Sequence, residues 1–186
     1  MPPVRAFLSV LLLCAAPALA QTPAQGRRAI LDHMLDSLRT AQSEAEAAPI
    51  EARIEHVWME QASPSVTLLV TRGIRNLGAG ANQEAFDDFD AAIALDPSVA
   101  DAWHRRAVTR FQMGDARGAV RDIEETLKRE PRYFPAFRTL AGIAESRQDW
   151  KGAYAAWQKL LAIDPKTPGG AERMKDLKRR AFGDVT

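Results

Sequence analysis

The sequence has a single cysteine, no excess of glycine or proline, and almost no net charge. Its one cysteine, Cys14, excludes an intramolecular disulfide and a zinc cluster built on cysteines. Glycine and proline number 11 each among 186 residues, too few for a disordered or collagen-like chain. Lysine and arginine total 25 against 24 aspartates and glutamates, which argues against a general nucleic-acid binder. The remaining class is an ordinary globular protein, with 46% hydrophobic residues and a length that suggests one domain.

The sequence also lacks the residue patterns that carry catalysis or metal binding. The three histidines, His33, His56 and His104, do not stand four residues apart, and there is no His-Glu-x-x-His stretch. There is no Gly-x-Ser-x-Gly turn and no phosphate-binding P-loop. The acidic residues over 87–90 lack the spacing of a calcium loop, so a solvated helix face is favoured. We therefore expect no catalytic residue, metal, cofactor or small-molecule substrate.

Residues 1–20 have the layout of a secretory signal peptide. A single early positive charge, Arg5, precedes an apolar run over residues 6–16, and residues 18–20 supply a small-x-small cleavage site. This run is shorter than the roughly 20 residues that a membrane span needs. A short buried helix is the alternative interpretation. We expect cleavage after Ala20 and export to a bacterial periplasm, which would leave a mature chain without any thiol.

A period of about 34 residues organises most of the remaining chain. Acidic-Pro dipeptides end at Pro97, Pro131 and Pro165, which are equally spaced. In the same register a column of small residues, a column of alanines and a column of large apolar residues recur: Gly73, Ala107, Ala141; Ala85, Ala119, Ala153; Phe89, Ile123, Trp157. Each unit holds two apolar-periodic stretches of roughly 13 residues, long enough for two helices. Small residues let paired helices approach closely, and stacking buries the apolar face that one pair leaves open.

Helical periodicity continues before the repeats. Residues 21–27 are expected to form a flexible leader, and residues 28–62 a pair of helices. Ser43 and Glu46 form a capping box at the start of the second helix. Pro49 either kinks that helix or occupies its first turn.

A further helix is expected after the repeats, over residues 168–183, where it would cap the last apolar face. One side of this segment is basic, with Lys166, Arg173, Lys175, Lys178, Arg179 and Arg180. The favoured interpretation is a solvated cap with favourable charges near its carboxyl end. Contact with a membrane surface or an acidic partner is the less favoured alternative.

The repeats resemble the tetratricopeptide repeat, whose signature runs Trp, Leu-Gly, Tyr, Ala, Phe and Pro over about 34 residues. The middle unit matches this signature at Trp103, Ala107, Ala119, Ile123 and Pro131. The resemblance covers residues 66–165, in units at 66–99, 100–133 and 134–167 by register. It implies an all-α, right-handed solenoid of three helical hairpins, with N-terminal helices before it and a capping helix after it.

The sequence departs from the family signature at several positions. Arg72 and Arg106 stand where leucine is usual, and Asn76, Arg110 and Ala144 stand where tyrosine is usual. These departures are expected to weaken individual packing contacts without changing the register.

The first helix of each tetratricopeptide hairpin lines a concave face where ligands bind, so the resemblance places the candidate site there. By register, the candidate groove residues are Thr67, Val70, Ile74, Leu77, Asp101, His104, Arg105, Val108, Phe111, Gln112, Arg138 and Glu145. An apolar centre with a charged rim suits an extended or helical peptide.

The family's two-carboxylate clamp for acidic C-termini needs lysine, asparagine and arginine on this face. Those positions hold Val70, Ile74, Pro135 and Thr139, so chaperone-tail binding is not expected.

The sequence therefore predicts a non-enzymatic scaffold of the bacterial cell envelope that binds a protein or peptide in its concave groove. It predicts no nucleic-acid partner and leaves the oligomeric state open. In the alternative interpretation, residues 44–61 fold into the groove and fill it in cis, since a bare apolar stripe would be a liability. The protein would then act as a self-associating or accessory subunit through its terminal helices.

Overall fold

The computed structural model describes residues 23–60 and 62–183, and within these ranges the chain forms helices and no strand. The helices are α1 (Pro23–Thr40), α2 (Glu44–Glu60), α3 (Pro64–Gly78), α4 (Asn82–Leu95), α5 (Ala100–Gln112), α6 (Ala116–Arg129), α7 (Phe134–Ser146), α8 (Trp150–Ile163) and α9 (Gly170–Phe182). The all-α fold predicted from the sequence is confirmed. The predicted signal peptide over 1–20 lies outside the described residues.

Six of these helices form three stacked hairpins. Helix α3 packs on α4, α5 on α6, and α7 on α8. Neighbouring hairpins meet where α4 contacts α5 and where α6 contacts α7, and α9 covers the free side of α8. Leu177 of α9 is fully buried in this last contact. The result is a short solenoid whose final apolar face is capped, as a repeat protein requires.

Close packing within the hairpins explains the two columns of small residues. The three alanines Ala85, Ala119 and Ala153 are fully buried. In the first hairpin a Cβ added at Gly73 would lie 2.6 Å from a ring carbon of Phe89. The large Phe89 side chain therefore requires glycine opposite it.

The turn inside each hairpin contains one residue in the left-handed region of the backbone map. This residue is Gly80, Gly114 or Gln148, with φ values of 76°, 86° and 60°. Asp115 and Asp149 then cap α6 and α8, because each side chain accepts a hydrogen bond from a backbone amide three residues on. Among these three residues only Gln148 carries a side chain. Its Cβ is strained in the left-handed region, which lowers the stability of the fold by roughly 1–2 kcal/mol.

The arginines that depart from the repeat signature form ion pairs between the two helices of a hairpin, buried in the second hairpin and partly exposed in the first. In the second hairpin, Arg106 donates from Nε and Nη2 to the two carboxylate oxygens of Asp122, at 2.9 and 2.8 Å. The guanidinium of Arg110 lies 3.3 Å from the same carboxylate. Asp122 on the facing helix thus supplies a matching charge for both arginines that stand at signature positions of this hairpin.

The first hairpin contains the same arrangement, one repeat unit earlier in the chain. Asp88 accepts hydrogen bonds from Arg72 and, at 2.9 Å, from the side-chain amide of Asn76. The third hairpin has no such pair, since its equivalent positions hold Leu140, Ala144 and Ala156. The same contact between the two helices of a hairpin is therefore made by ion pairs in the first and second hairpins and by apolar side chains in the third.

The two N-terminal helices fold back onto the solenoid. Their buried apolar residues join one core with the second and third hairpins and α9; they are Leu31, Leu35, Leu38, Ala41, Ala47, Ile54, Val57 and Trp58. The first hairpin has a separate core around Phe89. Helices α1 and α2 therefore share the main core and are not an appendage.

Helix α1 begins earlier than expected. The predicted flexible leader over 21–27 is wrong from Pro23 onward, because the helix begins at that residue. Proline is compatible with a first helical turn, and extending an existing helix costs little once the turn around Leu31 is anchored.

The start of α2 follows the predicted capping box. Ser43 Oγ accepts from the Glu46 amide at 3.2 Å, while the Glu46 carboxylate accepts from the amide of Gln42 at 2.8 Å. Pro49 lies inside α2, beyond the first turn, so its ring removes one internal hydrogen bond of that helix.

Candidate functional site

The inner layer of the solenoid consists of α3, α5 and α7, which contact one another in series. Helix α2 crosses this layer at the start of α5 and α7. The ring of Trp58 lies 4.3 Å from that of Tyr133 and 5.4 Å from that of Phe134, centroid to centroid. Residues of α2 therefore cover the start of α5 and α7 at the inner layer.

A polar network lies beneath α2. The Tyr133 hydroxyl donates to Asp101 at 2.5 Å, and Arg105 Nε lies 3.3 Å from both oxygens of that carboxylate. Burial raises the pKa of Tyr133 well above its usual value, and the Asp101 charge adds to this effect. Burial also raises the pKa of Glu55, which α2 contributes, while Arg105 opposes that shift. The network is thus a set of buried polar contacts that joins α2, α5 and α7.

His104 belongs to the same layer and is held neutral. Its Nε2 lies 3.0 Å from the Thr139 hydroxyl, and its ring centroid lies 5.1 Å from that of Tyr133. Burial lowers the pKa of His104 to about 4, although the nearby Asp101 charge acts in the opposite direction. The imidazole is therefore a buried structural group.

This histidine predicts an acid-sensitive fold. The unfolded chain takes up a proton at His104 near pH 6.5, but the folded chain does so only near pH 4. Stability from this residue is therefore lost as pH falls between these values, by up to about 3 kcal/mol. Urea unfolding of the parent and of His104→Gln, at pH 7 and pH 4.5, checks this. If the free energy of unfolding fell by the same amount between pH 7 and pH 4.5 in both proteins, the prediction would be contradicted.

The predicted groove residues do not all line an open surface. Val70, Asp101 and His104 are buried, the first in the core of the first hairpin and the other two beneath α2 and Tyr133. Half-buried positions are Thr67, Ile74, Leu77, Arg105, Val108, Phe111 and Glu145, whereas Gln112 and Arg138 are exposed. Phe111 packs against the main core. A substitution at Phe111 would therefore test stability more than binding.

An open cleft remains between α2 and α3. It encloses about 800 Å³. Its apolar lining consists of Ala52, Met59, Ala62, Pro64 and Leu68, and its charged rim of Glu55, His56, Glu60, Arg75 and Arg105. Of the residues predicted from the sequence, Thr67 and Arg105 line this cleft. Leu68 is 65% exposed and contributes apolar surface to the lining of this cleft.

Sequence reasoning missed the part that α2 plays in this cleft. Helix α2 supplies about half of the lining, including Met59 and Glu55. The available signal was the helical spacing of Ile54, Val57 and Trp58, which predicts a buried face without identifying what that face contacts.

Three of the six basic residues in and before α9 are paired with acidic residues of α7 and of α9 itself. Arg173 pairs with Glu145 of α7, while Arg179 and Arg180 both pair with Asp176. These contacts fit the favoured interpretation of a solvated cap. Among residues 23–60 and 62–183, no helix is long and apolar enough to cross a membrane. The same ranges contain no cluster of three or more histidine, cysteine or acidic residues suited to a metal.

Comparison with known proteins gives relatives in both sequence and fold. The chain is 31% identical over 156 residues to a TPR repeat-containing protein of Rhizobium etli, covering 84% of this chain and 76% of that protein. It is 28% identical over 110 residues to the Hsp70-Hsp90 organizing protein of Triticum aestivum, covering 59% of this chain and 19% of that protein. No family model matches the chain.

Solved structures share the fold at lower identity. The first TPR of Spaghetti, bound to an HSP90 peptide, superposes with a TM-score of 0.59 at 17% identity, covering 63% of this chain and 93% of that one. The MamA protein superposes with a TM-score of 0.58 at 16% identity, covering 84% of each chain. The repeats, the stacked hairpins and the Rhizobium relative agree, and the chain belongs to the tetratricopeptide repeat family.

Proposed function

We propose that this protein is a non-enzymatic protein-interaction scaffold of a bacterial cell envelope, and that it binds a peptide or helix in the cleft between α2 and α3. The observation that carries the proposal is the apolar cleft itself, with Leu68 exposed inside a charged rim. A protein with this fold supports the mode of action, since the first TPR of Spaghetti is bound to an HSP90 peptide. The residues of that family's carboxylate clamp are replaced here, so a partner with apolar side chains is preferred to an acidic tail.

The setting in the cell envelope rests on the pattern of residues 1–20. Export predicts a mature protein whose first residue is Gln21. Amino-terminal sequencing of the protein recovered from its own host, together with cell fractionation, tests this part separately from binding.

The cleft predicts a specific loss of binding for Leu68→Glu. A charge placed on this exposed leucine would meet the apolar side chains of the partner, and we expect affinity to fall at least tenfold. The matched control is Leu95→Glu, because Leu95 is exposed to a similar degree, 62%, and lies outside the cleft. Both variants and the parent are compared by pull-down from an envelope extract of the host and by titration with the recovered partner.

A partner retained by Leu95→Glu and lost by Leu68→Glu would support the cleft as the site. Equal retention by all three proteins would overturn it. Circular dichroism of each variant checks that helicity is unchanged, which we expect because both side chains are already in solvent.

A second candidate function has its own support. Helix α2 covers the start of α5 and α7, which favours a concave face that is partly filled in cis. In that case the protein would act as an accessory or self-associating subunit through its terminal helices. Light scattering over a range of concentrations separates the two candidates, since self-association makes the apparent mass rise with concentration.

A further inference from the structure

Two carboxyl groups meet where α2 contacts the loop between α8 and α9. Asp164 in this loop is completely buried, and no donor meets its side-chain oxygens at ordinary hydrogen-bond geometry, although the Thr167 hydroxyl and the Lys166 amide lie close enough to act on its charge. Glu51 of α2 faces it, and Glu51 Oε1 is also buried without such a partner. The start of α2 reaches the same loop, because Glu44 accepts from the Gly169 amide at 3.4 Å. Two carboxylates so placed would be costly unless something binds between them.

We propose that Glu51 and Asp164 share one proton, and that this proton latches α2 onto the solenoid so that docking of α2 weakens as pH rises. The proposal rests on the proposed function for its biological meaning, because α2 forms one wall of the binding cleft. The shared proton and the docking of α2 do not require any binding partner.

One cation and one further acid lie near Glu51 and Asp164 and determine how much negative charge this contact can hold. Arg138 of α7 donates from Nη2 to the Thr167 hydroxyl at 2.7 Å and is the cation that acts on both carboxyl groups. Helix α2 adds Glu55 as a further acid near Glu51. With one shared proton the pair carries one negative charge, which Arg138 balances. Without the proton, a second negative charge is added at a contact where Asp164 is fully buried and Glu51 is half-buried.

The other titratable groups under α2 lie nearer to Glu55. These are Asp101, His104 and Arg105 of α5 and Tyr133 before α7. Among them, His104 acts in the opposite sense below pH 6.5, since its protonation destabilises the fold. Lys166 acts on Asp164 through its backbone amide.

The direction of the pH effect follows from these surroundings. Burial is the main cause that raises the pKa of Glu51, and the Asp164 charge raises it further. Burial likewise raises the pKa of Asp164, although Thr167, the Lys166 amide and Arg138 oppose this. A carboxyl group with a raised pKa stabilises the docked state fully at low pH. That stabilisation is lost as pH rises through the raised value.

A metal cation fits this position less well than a proton. Calcium takes six to eight oxygen ligands, and the pair with Thr167 offers fewer. The Arg138 guanidinium, hydrogen-bonded to Thr167, would also repel a divalent ion. A proton needs only one oxygen from each carboxyl group, and both groups have a buried oxygen without another partner.

Thiol labelling can measure the docking of α2 directly. Ala47 lies one helical turn before Glu51 and is fully buried, so Ala47→Cys is protected while α2 is docked. The full-length chain carries Cys14→Ser so that the new thiol is the only one. Ala156→Cys reports on the solenoid instead, at a buried position where the other two hairpins hold the larger Asp88 and Asp122. Labelling rates are measured between pH 4.5 and 8.5. The rate of an unstructured peptide thiol at the same pH, divided by the rate in the protein, gives the protection and removes the effect of thiol ionisation.

We expect protection of the thiol at position 47 to fall about tenfold per pH unit across the titration of the pair. Protection of the thiol at position 156 should stay constant over the same pH range, because that position reports on the solenoid and not on the docking of α2. Glu51→Gln should flatten the profile at position 47, because its amide donates to Asp164 at every pH. Asp164→Asn is a second variant with the same expectation. The matched control is Glu84→Gln, an exposed acid of α4 that lies outside both this contact and the cleft, which should keep the parental profile.

A flat parental profile, or the parental slope in both Glu51→Gln and Asp164→Asn, would overturn the latch. Protection that rises on adding calcium at neutral pH would also overturn it, in favour of a cation site. No partner is present in this measurement, so failure to find a partner would leave the latch standing. Conversely, a failed latch would leave the Leu68→Glu comparison intact.

Discussion

Asp122→Ala is expected to lower the free energy of unfolding by about 3–5 kcal/mol. Asp122 is 2% exposed and is the carboxylate to which the Arg106 fork binds. The Arg106 side chain is only 10% exposed, so its charge would stay buried without its main partner. The other ion pair of Arg106, with Asp90, involves an acid that is 55% exposed and contributes little.

The first hairpin supplies the matched control for this prediction. Asp88→Ala removes the equivalent carboxylate, but its partner Arg72 has a side chain that is 57% exposed. Water can solvate Arg72 after the change, so the loss should be clearly smaller than for Asp122→Ala. Urea unfolding followed by circular dichroism measures both. Equal losses would show that burial of the arginine does not set the cost.

The third hairpin supplies the corresponding rescue. Adding Arg106→Leu and Arg110→Ala to Asp122→Ala copies the apolar solution of the third hairpin into the second. Replacing a whole buried ion pair by packed apolar groups is often neutral or stabilising, so most of the lost stability should return. A triple variant as unstable as Asp122→Ala would contradict this explanation.

The ion pairs mark one limit of prediction from the sequence. Arg72 and Arg106 were visible as departures from the repeat signature, yet their partners lie 16 residues away on the facing helix. Asp88 and Asp122 share the repeat period with them. That shared period was the available signal for a pair, but side-chain charge alone does not identify which acid faces which base.

The hairpins themselves could be predicted because their determinants are local. Small residues recur where helices approach closely, and a turn residue such as Gly114 recurs where the chain reverses. The terminal cap followed from the same reasoning, since the last apolar face needs a cover. The helices of the repeat region therefore lie close to the expected register.

The position of α2 could not be predicted in the same way. Trp58 contacts Tyr133, and Asp32 of α1 pairs with Arg132, although the members of each pair lie far apart in the sequence. Helical periodicity identifies the buried face of α2 but contains no information about its docking partner. For that reason the sequence left the open and the filled groove as alternatives.

Trp58→Ala is expected to lower the free energy of unfolding by about 3–5 kcal/mol. Trp58 is 4% exposed, packs on Tyr133 and Phe134, and belongs to the core that α2 shares with the second and third hairpins. The matched control is Trp58→Phe, which keeps a ring in this contact. Because the Trp58 indole Nε1 is buried without a hydrogen-bond partner, losing it should cost little. Urea unfolding compares the three proteins, and equal stability of Trp58→Ala and the parent would contradict the shared core.

The same variant separates the two candidate functions, because α2 both walls the open cleft and covers the start of α5 and α7. If the partner binds in the cleft, Trp58→Ala removes one wall and affinity should fall, while Trp58→Phe retains it. If α2 instead fills the concave face in cis and the protein acts through its terminal helices, Trp58→Ala leaves the binding surface in place and partner affinity should stay unchanged. Titration of the recovered partner against the three proteins, each checked for helicity by circular dichroism, measures this difference. An unchanged affinity in Trp58→Ala would contradict the cleft and favour the accessory or self-associating subunit.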